Sequence, residues 1–479
     1  MTFRFSKTRR AVLFGLAMVA VAFAFATPPT AVAAQPVTKH PDAIALEAYY
    51  FLYPLMVMDY TRRQLSNVPA GHPGLAAPMN TFAASRGFPT PEMHSVPRPN
   101  FDTLYSPAWL DLTQGPVLIQ TPDTGERYYV ATLLDMWSEV FASIGSRTTG
   151  NKAGSFFVTP PDWSSAMPEG LPKGTIEIAA PTTYAWLIGR TQTNGEKDFD
   201  VVHALQDQFA LTPYGSDGTP LEMKAFEQNA SIDMKTPPNL QVEALTGVEF
   251  FTQAAELLKL QPAHLIDWPF VERMQRIGLV AGESYDASAQ SEGVVAALNA
   301  APAEAITEMT WKFPRMSSPI NQWSIMTGGI GTYGTAYFQR AVIAKFGLGS
   351  NVPQDSVYPL TFTDADGNAL DGNNAYVLHF DKANLPPVEA FWSLSLYDND
   401  GFPIANPINR YAVSSWMPLT YNADGSLDIY IQSEAPDAEK EANWLPSLKA
   451  GFGLNMRLYA PMSDVISGKW APPAVVKVN

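Results

Sequence analysis

The run Phe391-Trp392-Ser393-Leu394-Ser395-Leu396-Tyr397 decides the fold class. Trp392, Leu394 and Leu396 fall on one side of an extended chain and the two serines on the other, the period of two that marks a β-strand with an apolar face. Leu427, Ile429 and Ile431 alternate in the same way against Asp428, Tyr430 and Gln432, and Ala375–Phe380 (AYVLHF) is a third strand-like run. Asp366-Gly367 and Asp371-Gly372 before these runs, and Asp400-Gly401 and Asp424-Gly425 between them, are turn signals. Residues 351–479 are therefore expected to form a β-sandwich, with Trp392 in its core.

Toward the N-terminus, residues 82–190 repeat the pattern of short apolar runs broken by proline and glycine, as in Pro116–Ile119 and Arg127–Leu134. A helix precedes them: Leu46, Tyr50, Tyr53, Val57 and Tyr60 share one helical face, with a kink expected at Pro54. Between the two β regions, Val201–Ala210, Val242–Leu260, Ala263–Gly278 and Ser291–Trp311 read as helices, the third interrupted by Pro269. The expected class is mainly β with α: a helix plus β-sandwich over 41–200, a helical middle segment over 201–350, and a second β-sandwich over 351–479.

The first 34 residues read as a cleavable signal peptide. Arg4, Lys7, Arg9 and Arg10 precede an apolar run from Ala11 to Ala26, and Ala31-Val32-Ala33-Ala34 supplies small residues for cleavage. Arg9-Arg10-Ala11-Val12-Leu13 also fits a twin-arginine pattern. Periplasmic or secreted placement follows as the expectation, with no stable membrane insertion after cleavage. The chain has no cysteine, which leaves no disulfide framework and no lipid-modified cysteine. Removing the leader's four positive charges takes the formal net charge from −15 to −19. Such a surface repels phosphate backbones, so no nucleic-acid partner is expected, and an uncharged or cationic target is favoured.

The sequence lacks a G-x-S-x-G elbow, a P-loop, a Rossmann glycine fingerprint and an H-E-x-x-H pair. Its six histidines are scattered, and His379 in the AYVLHF run reads as structural. Asp364-x-Asp366-Gly367 and Asp398-x-Asp400-Gly401 lack the glycine and glutamate spacing of an EF-hand and read as hairpin tips. No metal and no cofactor are expected.

The run with most chemistry is Arg98-Pro99-Asn100-Phe101-Asp102-Thr103-Leu104-Tyr105. If it is extended, Arg98, Asn100 and Asp102 share a face that would bind a polar ligand. An Asx-type turn with Asp102 bonded to backbone is the alternative. Asp135, Arg147 and Arg190 fall at the ends of expected strands in the same region. A pairing of Arg147 or Arg190 with Asp102 or Asp135 would be either functional or a structural ion pair. An aromatic group that includes Trp323 and Tyr333 precedes the C-terminal β region and would stack on sugar rings if exposed, with core packing as the default.

Several of these runs resemble a bacterial family of paired domains of unknown function, twelve fifty-four at the N-terminus and twelve fourteen at the C-terminus. The resemblance is carried by Arg98–Ser106, Trp109–Leu112, Gly145–Gly150 and Gly189–Thr191, then by Gly331–Tyr333, Phe391–Asp398, Asn409–Tyr411, Asn443–Pro446 and Arg457–Tyr459. It implies two jelly-roll-like β-sandwiches joined by a helical segment in an exported protein, and it carries over no catalytic residue. Two readings of function stand. One is a metal-independent, carboxylate-based hydrolase or lyase acting on a glycan or ester, with Asp102 as acid or base and Arg98 or Arg147 stabilising charge. In that reading Asn100, Tyr105, Asp135, Arg190, Trp323 and Tyr333 bind the small-molecule or glycan ligand. The other is a non-catalytic glycan- or envelope-binding module. Nothing in the sequence specifies an oligomeric state.

Overall fold

A computed structural model describes residues 41–93, 97–223 and 225–478. The leader expected at residues 1–34 lies outside the described residues. The alternating runs do form strands: Ala375–Phe380, Val388–Asp398 and Leu427–Gln432 in the C-terminal half, and Val117–Thr121 and Tyr129–Asp135 in the N-terminal half. The chain is mainly β with α, with two β domains and a helical middle segment.

Each domain is a pair of packed sheets. In the N-terminal domain the inner sheet runs Thr103–Asp111, Tyr184–Gln192, Tyr129–Asp135, Val140–Gly145, all antiparallel. Its partner runs Ile176–Ala179, Gly154–Thr159, Val117–Thr121, Ala210–Pro213. Ala108, Leu110, Ala131, Leu133 and Leu187 of the first meet Val117, Ile119, Phe156 and Val158 of the second in one core. The helix expected over Val201–Ala210 stops at Gln206, because Ala210–Pro213 pairs with Gln120–Val117 as the edge strand. In the C-terminal domain, Leu360–Thr361, Phe452–Pro461, Val388–Asp398 and Ala412–Ser414 form one sheet and Trp444–Pro446, Leu427–Gln432, Ala375–Phe380 and Val476–Val478 the other. Trp392, Leu394, Leu396, Leu454, Met456 and Leu458 fill the space between them.

The serine face of Val388–Asp398 departs from the simple one-sided pattern. Ser393 and Ser395 are both fully buried. The reason is the facing N-terminal sheet: Tyr128 and Val130 pack on Phe391 and Tyr459, with the Phe391 and Tyr459 rings stacked at 4.2 Å. The two middle sheets are thus covered on both faces, and polar side chains lie between them.

The rest of the outward N-terminal face is covered by helices. Trp109 and Trp186, a cross-strand pair stacked at 5.0 Å and 4°, lie on it. Helix Pro41–Leu65 is buried nearly all round, which the one-sided spacing of its aromatic residues does not convey. It is ringed by Pro238–Glu243, Gly247–Leu260, Glu292–Lys312 and Tyr337–Gly347. Three of its phenols tie it to this ring: Tyr50 to Glu308 at 2.5 Å, Tyr53 to Glu243 at 2.6 Å and Tyr60 to Gln253 at 2.8 Å. The expected helix Val242–Leu260 is two helices. Thr246 caps the second in a reciprocal pair with Glu249, which resets the chain direction.

Gly247 opens that second helix against the backbone of Glu292–Lys312. A Cβ there would stand 1.9 Å from the Leu298 carbonyl oxygen. Alanine is ordinarily the better helix former by about 1 kcal/mol, yet Gly247→Ala is expected to destabilise the fold by roughly 1–3 kcal/mol through overpacking. Urea denaturation checks it: an unchanged or raised midpoint would show that the helix pair can separate freely.

Candidate functional site

The polar groups between the two middle sheets come from both domains. Residues 97–102 are not extended. Arg98 adopts a left-handed backbone with φ 53°, its N–H donates to the Gly401 carbonyl at 2.6 Å, and its guanidinium lies over the Phe362 ring. It does not share a face with Asp102. Asn100 then closes an Asx turn, its Oδ1 accepting from the N–H of Asp102 at 2.7 Å and of Thr103 at 3.3 Å. Its amide donates to the Thr103, Tyr459 and Tyr105 hydroxyls at 3.0, 3.2 and 3.3 Å.

This turn delivers Asp102 to a fully buried position. Side chains of the other domain bond it: Ser393 and Tyr459 donate to Oδ2 at 2.6 and 3.0 Å, and Ser414 to Oδ1 at 3.3 Å. Burial pushes its carboxyl above the usual range, against the opposing pull of Arg457 and the three hydroxyls. The Asx turn expected as an alternative is present, but Asp102 is satisfied by hydroxyls instead of backbone N–H groups.

Two guanidiniums share the site. Arg190 sits directly across from Tyr105 in the antiparallel register, with the guanidinium over the phenol ring at 5.2 Å. It donates to Asn351 Oδ1, while its Nε is buried without an acceptor. Arg457 lies opposite Ser393 on the neighbouring strand. It donates through Nη2 to the Arg98 and Pro99 carbonyls at 2.7 and 3.3 Å, its Nε is also without an acceptor, and the Tyr358 ring lies beneath it at 5.3 Å. Asn351 carries the network onward, donating to Ser356 Oγ at 2.9 Å, and Ser356 pairs with the Tyr358 hydroxyl at 2.6 Å.

The field these groups create is cationic. Arg457 acts on the Asp102 carboxyl, whose burial favours its neutral form, and Arg190 lies over the Tyr105 phenol. Burial alone would raise the Tyr105 phenol, but Arg190 and then Arg457 outweigh it and draw the phenol below its ordinary value. Tyr105 and Tyr358 are half-buried, whereas Asn100, Asp102, Arg190 and Arg457 are buried.

The other expected site residues lie elsewhere. Arg147 does not pair with Asp102; its Nε donates to Asp355 at 2.6 Å, and Asp355 also takes the Ser143 hydroxyl. Trp323 is fully enclosed in the C-terminal core, its indole N–H donating to the Pro473 carbonyl, so it offers no stacking face. Tyr333 packs with Ile330 and Ile343, and its N–H donates to Glu139. Asp135 anchors a separate cluster: Oδ1 accepts the N–H groups of Trp137 and Glu139, and Oδ2 meets His264 Nε2 at 2.6 Å. His264 Nδ1 lies 3.4 Å from Asp267, which Tyr337 also bonds. The residues not anticipated are Arg457, Tyr459, Ser393, Ser414, Asn351 and Tyr358. A hint of them stands in the sequence: Arg457 and Tyr459 alternate with Met456 and Leu458 on one strand, as Ser393 and Ser395 do with leucines on the next.

Burial acts against the charge on His264, but its bonds to Asp135 and Asp267 prevail and lift the imidazole to about 10. The folded value is above the ordinary 6.5, so the imidazolium's stabilisation is present in full below about pH 6.5 and is lost as pH rises toward 10. Thermal unfolding is expected to show this loss in the wild-type chain and a flatter profile in His264→Gln. Parallel profiles would place the alkaline loss on another group.

Residues 79–213 match the family model described as Protein of unknown function (DUF1254), and residues 355–463 match Protein of unknown function (DUF1214). The first segment contributes Asn100, Asp102, Tyr105 and Arg190 to the polar centre and the second Ser393, Ser414, Arg457 and Tyr459. The crystal structure of the VPA0106 protein from Vibrio parahaemolyticus is similar, with a TM-score of 0.71 at 22% identity, covering 92% of this chain and 100% of that one. A structure of an uncharacterized protein from Burkholderia cenocepacia aligns at a TM-score of 0.42 and 11% identity, over 90% of this chain and 88% of the other. No curated protein matches the chain. The chain therefore carries a DUF1254 segment followed by a DUF1214 segment, with the polar centre assembled from the two together.

Proposed function

We propose that the chain binds a small polar molecule bearing a carboxylate or comparable oxyanion at the centre between its two β domains, with Arg190 and Arg457 as the charge-recognising groups. The observation that carries this reading is the imbalance of buried charge. Two buried guanidiniums each keep an unmatched Nε, Arg190 over the Tyr105 ring and Arg457 acting on Asp102, a carboxyl that burial drives toward neutrality. Buried charge is costly unless paired, and arginine's fixed fork suits an oxyanion. The net acidity of the chain does not oppose this, because field strength at a buried site is set by the nearest groups. The leader read in residues 1–34 supports work in the periplasm or outside the cell. No described helix is long and apolar enough to cross a membrane.

Calorimetric titration with small carboxylates, inorganic phosphate and neutral sugars tests the reading. Carboxylate or phosphate binding is expected to fall at least tenfold in Arg190→Gln and in Arg457→Gln, in keeping with about 1.5–3 kcal/mol for a hydrogen bond to a charged group. Circular dichroism would confirm that each variant is folded. Sugar binding without anion binding, or folded arginine variants that bind as the wild type does, would sink the proposal.

A second reading has its own support. Asp102 is pushed up and Tyr105 drawn down, and Asn100 bonds the Tyr105 hydroxyl and the Asp102 backbone N–H. Opposed shifts of this kind suit acid–base division of labour, with Asp102 as the proton donor and Tyr105 as the base in hydrolysis or elimination of an ester or glycoside. An activity screen on ester, glycoside and phosphodiester substrates should then show losses of about 10²–10⁴-fold in Asp102→Asn and Tyr105→Phe. Activity undiminished in folded Asp102→Asn would remove Asp102 from any reaction.

A further inference from the structure

Beside the polar centre is a cavity of about 140 Å³. Phe313, Met326, Ile330, Ile343 and Phe346 make it largely apolar, with the rings of Phe313 and Phe346 stacked at 4.4 Å. Three further lining residues are Asn351, Ser356 and Tyr358. These are the side chains that hold the two arginines: Asn351 takes Arg190, Ser356 links Asn351 to Tyr358, and the Tyr358 ring lies under Arg457. The side chains that hold the guanidiniums thus also form the polar wall of the cavity, with Arg190 behind Asn351 and Arg457 behind Tyr358. Phe346 is 40% exposed, so the apolar lining reaches the outside of the molecule.

We propose that this cavity is the apolar compartment of the same site, and that the ligand is a small amphipathic acid. Its oxyanion lies at the polar wall, against Asn351 and the Tyr358 hydroxyl in the field of Arg190 and Arg457 behind them, and its compact hydrocarbon or aromatic group enters between Met326, Ile343 and Phe346. This rests on the oxyanion reading above and adds the ligand's other half. Size sets the limit: an apolar cavity of about 150 Å³ holds one benzene, so a ring or a chain of roughly six carbons fits and a long acyl chain does not. Each methylene taken from water strengthens binding about fourfold, so a six-carbon tail gives a measurable gain over a methyl group. A saccharide would place hydroxyls against five apolar side chains and leave them unpaired.

The test compares acetate, hexanoate, benzoate and hexanol by calorimetric titration of the full chain, in the wild type and in Ile343→Trp and Met326→Trp. Ile343 is buried and Met326 half-buried, so the second variant narrows the cavity with less risk to folding. Hexanoate or benzoate is expected to bind at least tenfold more tightly than acetate. Both cavity variants should erase that advantage, with hexanoate and benzoate falling toward the affinity of acetate. Equal affinity for acetate and hexanoate, with both lost in Arg457→Gln, overturns the cavity's role while the oxyanion reading stands. Hexanol binding as tightly as hexanoate overturns the oxyanion reading, and no binding by any probe overturns both.

Discussion

Neither β domain can satisfy its own buried charge. Arg190 belongs to the N-terminal domain and donates to Asn351 beyond it. Arg457 belongs to the C-terminal domain and donates to the carbonyls of Arg98 and Pro99. Asp102 arrives on an N-terminal turn and is held by Ser393, Ser414 and Tyr459 of the other half. Each of these groups is bonded from the other domain. Losing one partner of such a set strands a charge at a cost of about 3–5 kcal/mol, so the two sandwiches are held in the arrangement that makes these cross-domain bonds. The unusual burial of both middle sheets on both faces follows from that requirement.

How much of this could be read from the residues depends on the length scale of the cause. Alternation along Phe391–Tyr397 and Leu427–Gln432 is local, and the strands it implies are present. The same alternation misleads about the outside: Ser393 and Ser395 look solvent-facing because sequence shows the polarity of a face and not what is laid over it. The Arg98–Tyr105 run contains three members of the centre, Asn100, Asp102 and Tyr105, yet its extended reading fails because Arg98 takes a left-handed turn. Arg190 was legible as a strand residue with chemistry. Its partner Asn351 is 161 positions away, and no spacing rule connects them. Arg457 and Tyr459 were visible only as polar interruptions of an apolar strand.

Net charge proved a poor guide to the interior. An acidic chain carries a cationic centre, and in a separate cluster His264 is held as a cation by Asp135 and Asp267. Both clusters use carboxylates and aromatic rings to the same physical end, which is to keep a cation buried without releasing its charge. They differ in what is left over. The His264 cluster balances its cation with two acids, whereas the arginine centre has positive charge in excess.

The helix Pro41–Leu65 has a consequence for how the chain acquires its structure. Its three phenolic anchors find partners 190, 193 and 258 residues later in the chain. A helix this apolar, and emerging this early, has no cover until the segment from Pro238 to Gly347 has followed it. Contacts of such high sequence separation slow folding, since a long loop must close before they form. During synthesis the helix is an adhesive surface with no native neighbour, vulnerable to association with other incomplete chains. The helix that ends up buried nearly all round is thus uncovered until most of the chain has followed it.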